Sequence, residues 1–404
     1  MKALAALATT RERSIFEQDL EIGRAEIMQK TGGRRILVVG GAGSIGSSTI
    51  RELMKFNPAC LHVVDQSENN LAELVRDIRN SQGKLQVEDF RTLPLDYGSP
   101  LMARFLGETP PYDVVLNFAA LKHVRSEKDV CSSLQLIETN VLKLSRFLGW
   151  LIEKGGSQRF FSVSTDKAAN PVNLMGATKR LMECVMFSGE IAGLGAIACT
   201  SARFANVAFS DGSLLHSFIQ RLAKRQPLAV PRSTRRFFVS LEEAGQLCLI
   251  AAMCAAPSQT MIPRLEPDRD LRDLEAIARL FLEHHGLKAR EYEDEELAKS
   301  ALSADLAAGY YPLLLTPLDT SGEKPYEEFV GDGESSLETQ FPNLAVVPFA
   351  PVLPGSVSGF ISEMTATTQD HRMKIEKEQI INAVVKVVPA FMHVETGKTL
   401  DNRM

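Results

Sequence analysis

With 404 residues, 45% of them hydrophobic and 24% charged, the chain has the make-up of a globular protein with room for one large domain or two closely packed lobes. Its net charge of -5 comes without any basic block, which excludes the usual footprint of a nucleic-acid binder. No run approaches the roughly 18–20 apolar residues that cross a bilayer, so neither nucleic acid nor membrane is expected as partner.

In chain order, the first eight residues form too short an apolar run for the core of a secretion signal. The six cysteines (Cys60, Cys131, Cys184, Cys199, Cys248, Cys254) are scattered with no Cys-x-x-Cys pair. Both features suit a cytoplasmic protein with reduced, structural thiols and no metal site. Ser14-Ile15-Phe16-Glu17 has the capping-box form ahead of Leu20, Ile22, Ile27 and Met28, and predicts a helix in an N-terminal extension over 1–32. Residues 35–39 are a short apolar run ended by glycines, as in a strand buried on both faces. Runs of the same type follow at 61–64, 113–118, 160–164 and 196–199, with helical stretches at 71–79, 141–153 and 177–187 between them. This alternation predicts an α/β fold with a doubly wound parallel sheet of the Rossmann kind, over 33–205 and returning at about 236–255. From 206 to 345 the pattern loosens into a smaller substrate lobe, and 346–404 is a C-terminal extension with a helix over 374–388.

Gly40-Gly41-Ala42-Gly43-Ser44-Ile45-Gly46 follows the first strand and opens a helix. Gly40, Gly43 and Gly46 permit a tight turn, and the amides around Ser44 and Ile45 can meet a pyrophosphate at the helix N-terminus. Asp65, at the end of the second strand, can accept from both hydroxyls of an adenosine ribose and would repel a 2'-phosphate, which favours NAD over NADP. It can equally cap the Ser67-Glu68 turn. Asp96, where a third strand would end, can meet the adenine amino group or belong to a surface turn.

Asn117 to Val124 closes the fourth strand with small residues, Ala119 and Ala120, that let a dinucleotide lie close, then adds Lys122 and His123 to face a phosphate or sugar. Ser164 ends the fifth strand at the crevice where such sheets bind ligands. Thr165, Asp166 and Lys167 follow, and Met175 stands four residues before Lys179. A tyrosine there, with a normal pKa of about 10, could be drawn toward phenolate by the lysine and take a proton during alcohol oxidation; a thioether cannot. Acid and base functions then fall to Thr165, Asp166 and Lys167.

The glycine turn, Ala-Ala-Leu-Lys-His-Val (119–124), Ser-Thr-Asp-Lys-Ala-Ala-Asn-Pro (164–171), Met-Gly-Ala-Thr-Lys-Arg (175–180) and Arg-Phe-Ala-Asn-Val (203–207) together resemble the extended short-chain dehydrogenase/reductases. Within them they look like the nucleotide-sugar 4,6-dehydratases that act on UDP-N-acetylglucosamine in bacterial surface-polysaccharide and flagellar-glycan synthesis, in the branch where methionine replaces tyrosine. The resemblance covers roughly residues 33–255. It implies that NAD takes hydride from sugar C4, that the C5 proton and the C6 hydroxyl are lost as water, and that hydride returns to C6. It further implies Asp166 as the acid at the leaving hydroxyl, Lys167 as the base at C5, and Thr165 as a partner of the C4 oxygen. Lys179 would bind the nicotinamide ribose. Arg203, Asn206, Ser213 and Arg236 resemble positions that receive the nucleotide diphosphate and sugar, although for Asn206 and Ser213 a role in loop structure is the alternative. Ala205 and Phe209 stand where glycine is common, and Asp211 where a base is common. Thr320 to Lys324 suits a solvated turn, with a substrate contact as the other reading. The family implies pairing into a homodimer or higher homo-oligomer through helices that flank the site. Competing readings are a 4-epimerase and a catalytically silent dinucleotide-binding protein. The nucleotide base, uridine or guanosine, and the C5 configuration of the product are left open.

Overall fold

A computed structural model describes residues 2–82, 87–122, 127–317 and 326–394. Its centre is a nine-stranded sheet, read across in space as Leu337–Glu338, Leu344–Pro348, Gln259–Pro263, Ala198–Ala202, Arg159–Val163, Val114–Asn117, Arg35–Val39, Cys60–Val64 and Asp89–Leu93. All the pairings from Gln259–Pro263 through to Asp89–Leu93 are parallel, and the strands at the other edge run antiparallel. The strand order reverses beside Arg35–Val39, and the carboxyl ends of the strands at such a switch point are where open sheets of this kind bind ligands. Near-continuous burial of Arg35–Val39 and Cys60–Val64 follows from helices covering both faces.

Two apolar clusters fill those faces. One lies under helices Glu17–Thr31, Ser44–Leu53 and Leu241–Cys254; the other lies under Pro100–Glu108, Lys143–Lys154 and Leu174–Phe187. Leu174–Phe187 is buried nearly all round because the C-terminal helices Ser356–Gln369 and Lys377–Val387 pack on its outer side, and Lys377–Val387 also meets Val130–Ile137. A third cluster forms the smaller lobe, around the parallel trio Lys288–Tyr292, Tyr310–Thr316 and Leu228–Pro231. The main sheet draws back more of the chain than the expected 236–255, since Gln259–Pro263 and Leu344–Pro348 both join it.

The structure corrects two local expectations and adds one element. Helix Glu17–Thr31 starts at Phe16 without a side-chain cap; the Ser14 hydroxyl instead accepts from the Phe16 amide and donates to Gln246, a tertiary contact that outcompetes the local box. The first residues form a further helix, Lys2–Thr9, seated on the smaller lobe. The sixth strand runs over Ala198–Ala202 rather than 196–199, because Leu194–Ala196 is a turn of tight helix.

Candidate functional site

The three glycines of the turn do different jobs. Gly40 adopts φ +68°, and a Cβ there would stand 2.4 Å from the Ala119 amide nitrogen, so the turn packs against the loop after the fourth strand. A Cβ on Gly46 would stand 2.6 Å from the Gly40 carbonyl, which fixes close packing of the helix on the strand. At Gly43 only the Gly40 carbonyl lies near, at 3.5 Å, and the backbone is open to an approaching ligand. Ser44 and Ile45 open the helix. The Asp65 carboxylate accepts from the Ala42 amide at 3.1 Å and the Ser67 amide at 2.9 Å, so it braces the glycine turn and caps the Ser67-Glu68 turn at once. Asp96 pairs with Lys143 and accepts from the Gly98 amide; burial opposes its charge, but these partners win and hold the carboxyl below its usual range.

The loop carrying Ala119 and Ala120 is fastened by Asn117, whose Oδ1 accepts from the Ala119 amide, and by Asn140. Asn140 accepts from the Leu121 amide and donates to the Leu121 carbonyl and the Thr178 hydroxyl. It sits in a π-helical turn, Glu138–Leu142, and no periodicity in the sequence singles it out. Lys122 is exposed and donates to the Asp211 carbonyl at 3.0 Å. His123 and Thr320 to Lys324 lie outside the described residues.

Thr165, Asp166 and Lys167 form one group just beyond the strand Arg159–Val163. Asp166 Oδ1 accepts from the Thr165 hydroxyl at 2.8 Å, the Lys167 amide at 2.9 Å and Lys167 Nζ at 3.1 Å. Glu327 Oε1 lies 3.8 Å from the same ammonium. Burial would lower the Lys167 pKa, but Asp166 and Glu327 outweigh burial and the opposing Arg236 charge, so it is raised. Helix Leu174–Phe187 comes in against this segment. A Cβ on Gly176 would stand 2.4 Å from the Lys167 carbonyl. Met175 is buried one turn before Lys179, whose Nζ donates to the Val163 carbonyl at 2.8 Å. Burial depresses the Lys179 ammonium to about 8 against the pull of Glu183.

Arg203 is a correction to the substrate-binding set. Its side chain is fully buried and all five donors are engaged: by Glu183 and Glu334, each in a two-point contact, and by the Phe329 carbonyl. Ser164 donates to the same Glu183 at 2.6 Å. Arg180 touches both carboxylates at 2.9 and 2.7 Å, so a buried network of Arg180, Glu183, Arg203 and Glu334 underlies the site. Ser213 caps helix Leu214–Ala223 by accepting from the His216 amide, and Asn206 ties its short strand to Phe237. Arg236 sits on the strand Arg235–Val239, and its charge reaches Lys167.

Asp211, in the loop before helix Leu214–Ala223, meets the first residue of the helix that follows the glycine turn. The Ser44 hydroxyl donates to its carboxylate at 2.9 Å and accepts from its amide at 3.0 Å. Phe209 holds this loop in a left-handed conformation, φ +56°, with its ring buried and stacked on Phe281. That conformation accounts for glycine's suitability at the same place.

Comparison with known proteins accords with this geometry. The uncharacterized membrane protein MJ1061 of Methanocaldococcus jannaschii is 30% identical over 74% of this chain and 81% of its own length. A UDP-N-acetylglucosamine 4,6-dehydratase (inverting) of Campylobacter jejuni is 27% identical over 66% of this chain and 78% of its own. Other relatives are longer: the chain spans 51% of the probable polysaccharide biosynthesis protein EpsC of Bacillus subtilis and 40% of the capsular polysaccharide biosynthesis protein CapD of Staphylococcus aureus. Among solved structures, Pen from Bacillus thuringiensis shares the fold with a TM-score of 0.61 at 22% identity, over 78% of this chain and 87% of that one. No described helix is long and apolar enough to cross a membrane. The family model for polysaccharide biosynthesis proteins matches residues 36–348, the whole span from the first strand of the sheet to the antiparallel strand that completes it, and the chain belongs to that family.

Proposed function

We propose that the chain is an NAD-dependent nucleotide-sugar 4,6-dehydratase, converting UDP-N-acetylglucosamine or a closely related nucleotide hexose to its 4-keto-6-deoxy product. One observation carries the reading: Thr165, Asp166 and Lys167 share one hydrogen-bonded group beside a helix that offers Met175 in place of tyrosine. Transient oxidation at C4 alone needs no acid and base beyond the group that takes the hydroxyl proton, whereas elimination across C5 and C6 needs both. The named activity of the Campylobacter jejuni relative supports it. The second reading is a 4-epimerase, favoured by a Rickettsia massiliae relative named UDP-glucose 4-epimerase at 25% identity.

The open backbone at Gly43, the close-packed Gly40 and Gly46, and the carboxylate of Asp65 fit a dinucleotide without a 2'-phosphate. When bound, NAD would accept hydride from C4 and return it to C6. Asp65 would hold the adenosine ribose and Lys179 the nicotinamide ribose. Asp166 would protonate the departing C6 hydroxyl, Lys167 would take the C5 proton, and Thr165 would orient the C4 oxygen. Thr165 itself or a water relaying to Asp166 would accept the C4 hydroxyl proton. Arg236 would meet the nucleotide phosphates as a forked donor, with Lys122 nearby. Incubation with UDP-N-acetylglucosamine in heavy water tests the reading. A dehydratase yields a product lighter by one water and carrying solvent deuterium at C5; an isobaric product without deuterium would establish the epimerase, and no product would leave a silent binder.

Lys179 should trade stability for function. Its folded pKa of about 8 lies below the unfolded value of about 10.4, so stability is expected to rise with pH between those values as the unfolded chain alone binds the proton. Below that window the buried charge is a constant cost. Lys179→Met should therefore stabilise the fold at pH 7 by about 1–3 kcal/mol in urea titration and remove that pH dependence.

The C-terminal segment should position the catalytic loop. The Met392 amide donates to the Pro171 carbonyl at 3.2 Å and the Val394 amide to the Val172 carbonyl at 3.1 Å, with Phe391 buried alongside. Those carbonyls lie between Lys167 and the Asn173 cap of the Met175 helix. Met392→Pro with Val394→Pro removes both amide donors at residues whose side chains are exposed. Turnover is expected to fall about tenfold with the urea midpoint and NAD affinity unchanged.

A further inference from the structure

Away from the crevice, the second and third strands gather Cys60, His62 and Asp89. Cys60 and Asp89 are register partners at the starts of their strands, and the two-residue repeat brings His62 to the face of Cys60. One ligand atom from each lies within 4.8 Å of the other two. His62 is fully buried, with Nδ1 2.6 Å from the Tyr112 hydroxyl. Its Nε2 makes no hydrogen bond although Asp89 Oδ2 stands only 3.1 Å away, so the oxygen lies off the axis of the ring nitrogen. The three side chains thus bring a nitrogen, an oxygen and a sulfur within reach of one ion. Adjacent N and O vertices around tetrahedral zinc, each about 2.0–2.1 Å from the metal, are spaced about 3.3 Å apart.

We propose that Cys60, His62 and Asp89 bind a zinc ion, with water at the fourth position on the half-exposed Asp89 side. A thiolate, imidazole and carboxylate set selects zinc over calcium or magnesium. Tyr112 fixes the ring through its other nitrogen, as outer partners of ligating histidines do. Arg91 Nε holds the second Asp89 oxygen at 2.9 Å, leaving Oδ2 for the metal. Arg35, whose nearest nitrogen is 3.6 Å from Oδ2, is the cation the metal displaces. The metal would take Cys60 as a thiolate and His62 as a neutral imidazole, so binding would release the thiol proton to solvent. The site then staples the second strand to the third, independently of the chemistry at the crevice.

The test uses the full chain stripped with chelator and titrated with zinc, then with cobalt. One zinc per chain is expected, with release of one proton, and cobalt should show a thiolate charge-transfer band. Cys60→Ser and the milder Asp89→Asn should each weaken zinc binding at least tenfold, whereas Cys131→Ser, at an exposed cysteine outside the cluster, should not. Should Cys60→Ser fail to fold, Asp89→Asn with the cobalt spectrum of the unmodified chain decides the matter. Less than one-tenth equivalent of zinc, a cobalt spectrum without the thiolate band, or affinity unchanged in Asp89→Asn would overturn the proposal and leave an ion-pair cluster only.

Discussion

Arg203→Leu is expected to cost about 3–5 kcal/mol, enough to leave little native protein. The reason is the pair of charges left behind. Glu183 is fully buried, the Glu334 side chain is 4% exposed, and both lose the guanidinium that meets each of them at two points. Burial would raise the Glu183 pKa, yet Arg203, Arg180 and the Ser164 hydroxyl hold it at about 2. That depression stabilises the fold above the unfolded carboxyl pKa of about 4.3 and is lost as pH falls toward 2. Without Arg203, Arg180 alone touches both carboxylates, and the balance tips toward a protonated or unfolded state. Arg203→Lys keeps the charge but cannot supply five forked donors, so an intermediate loss is expected. Urea midpoints measured from pH 4 to 8 check this. A folded Arg203→Leu protein with an unchanged midpoint and a raised KM for the nucleotide sugar would restore Arg203 to the substrate site.

That residue also shows where reading a sequence stops. Short-range rules carry far: the glycine turn, Asp65 at the next strand end and Lys179 one turn after Met175 are local patterns, and each lies where strand and helix periodicity puts it. Arg203 invites reading as a phosphate ligand because it is an arginine after a strand at a crevice. Its partners, Glu183 and Glu334, sit 20 and 131 residues away, and no local signal links them. Asn140 escapes for a related reason: a buried asparagine inside an apolar helix looks like any polar interruption until the loop it fastens is seen. The contact of Met392 and Val394 with Pro171 and Val172 runs through backbone amides, which carry no residue code at all. Ser14 illustrates the converse, a correct local motif overruled by a tertiary partner, Gln246.

Asp166→Asn and Lys167→Ala are each expected to lower turnover of the nucleotide sugar by about 10²–10⁴-fold, the usual worth of a general acid or base. Their pH profiles should differ. In the free protein Asp166 and Glu327 keep Lys167 charged, the opposite of what a base needs near neutrality. The base form therefore grows only as pH rises, and the rate should climb along an alkaline limb set by Lys167. Glu327→Gln removes one carboxylate while leaving Asp166 in place, so it should move that limb to lower pH and raise the rate at pH 7. Asp166→Asn should move the limb the same way yet still lose rate, because the acid is gone. Lys167→Ala should abolish the limb. Combining Asp166→Asn with Lys167→Ala should cost little more than either alone, since an elimination that lacks its base gains nothing from its acid. Fully additive losses, or a limb that stays put in Glu327→Gln, would show that proton removal at C5 belongs to another group. In the proposed elimination Asp166 would first take up the C4 hydroxyl proton through Thr165 or a water; while it carries that proton, or while the substrate stands between it and Nζ, its hold on Lys167 is weakened, and the hold returns once the proton has passed to the leaving hydroxyl. On that mechanism acid and base would be coupled through the 3.1 Å contact between Lys167 Nζ and Asp166 Oδ1.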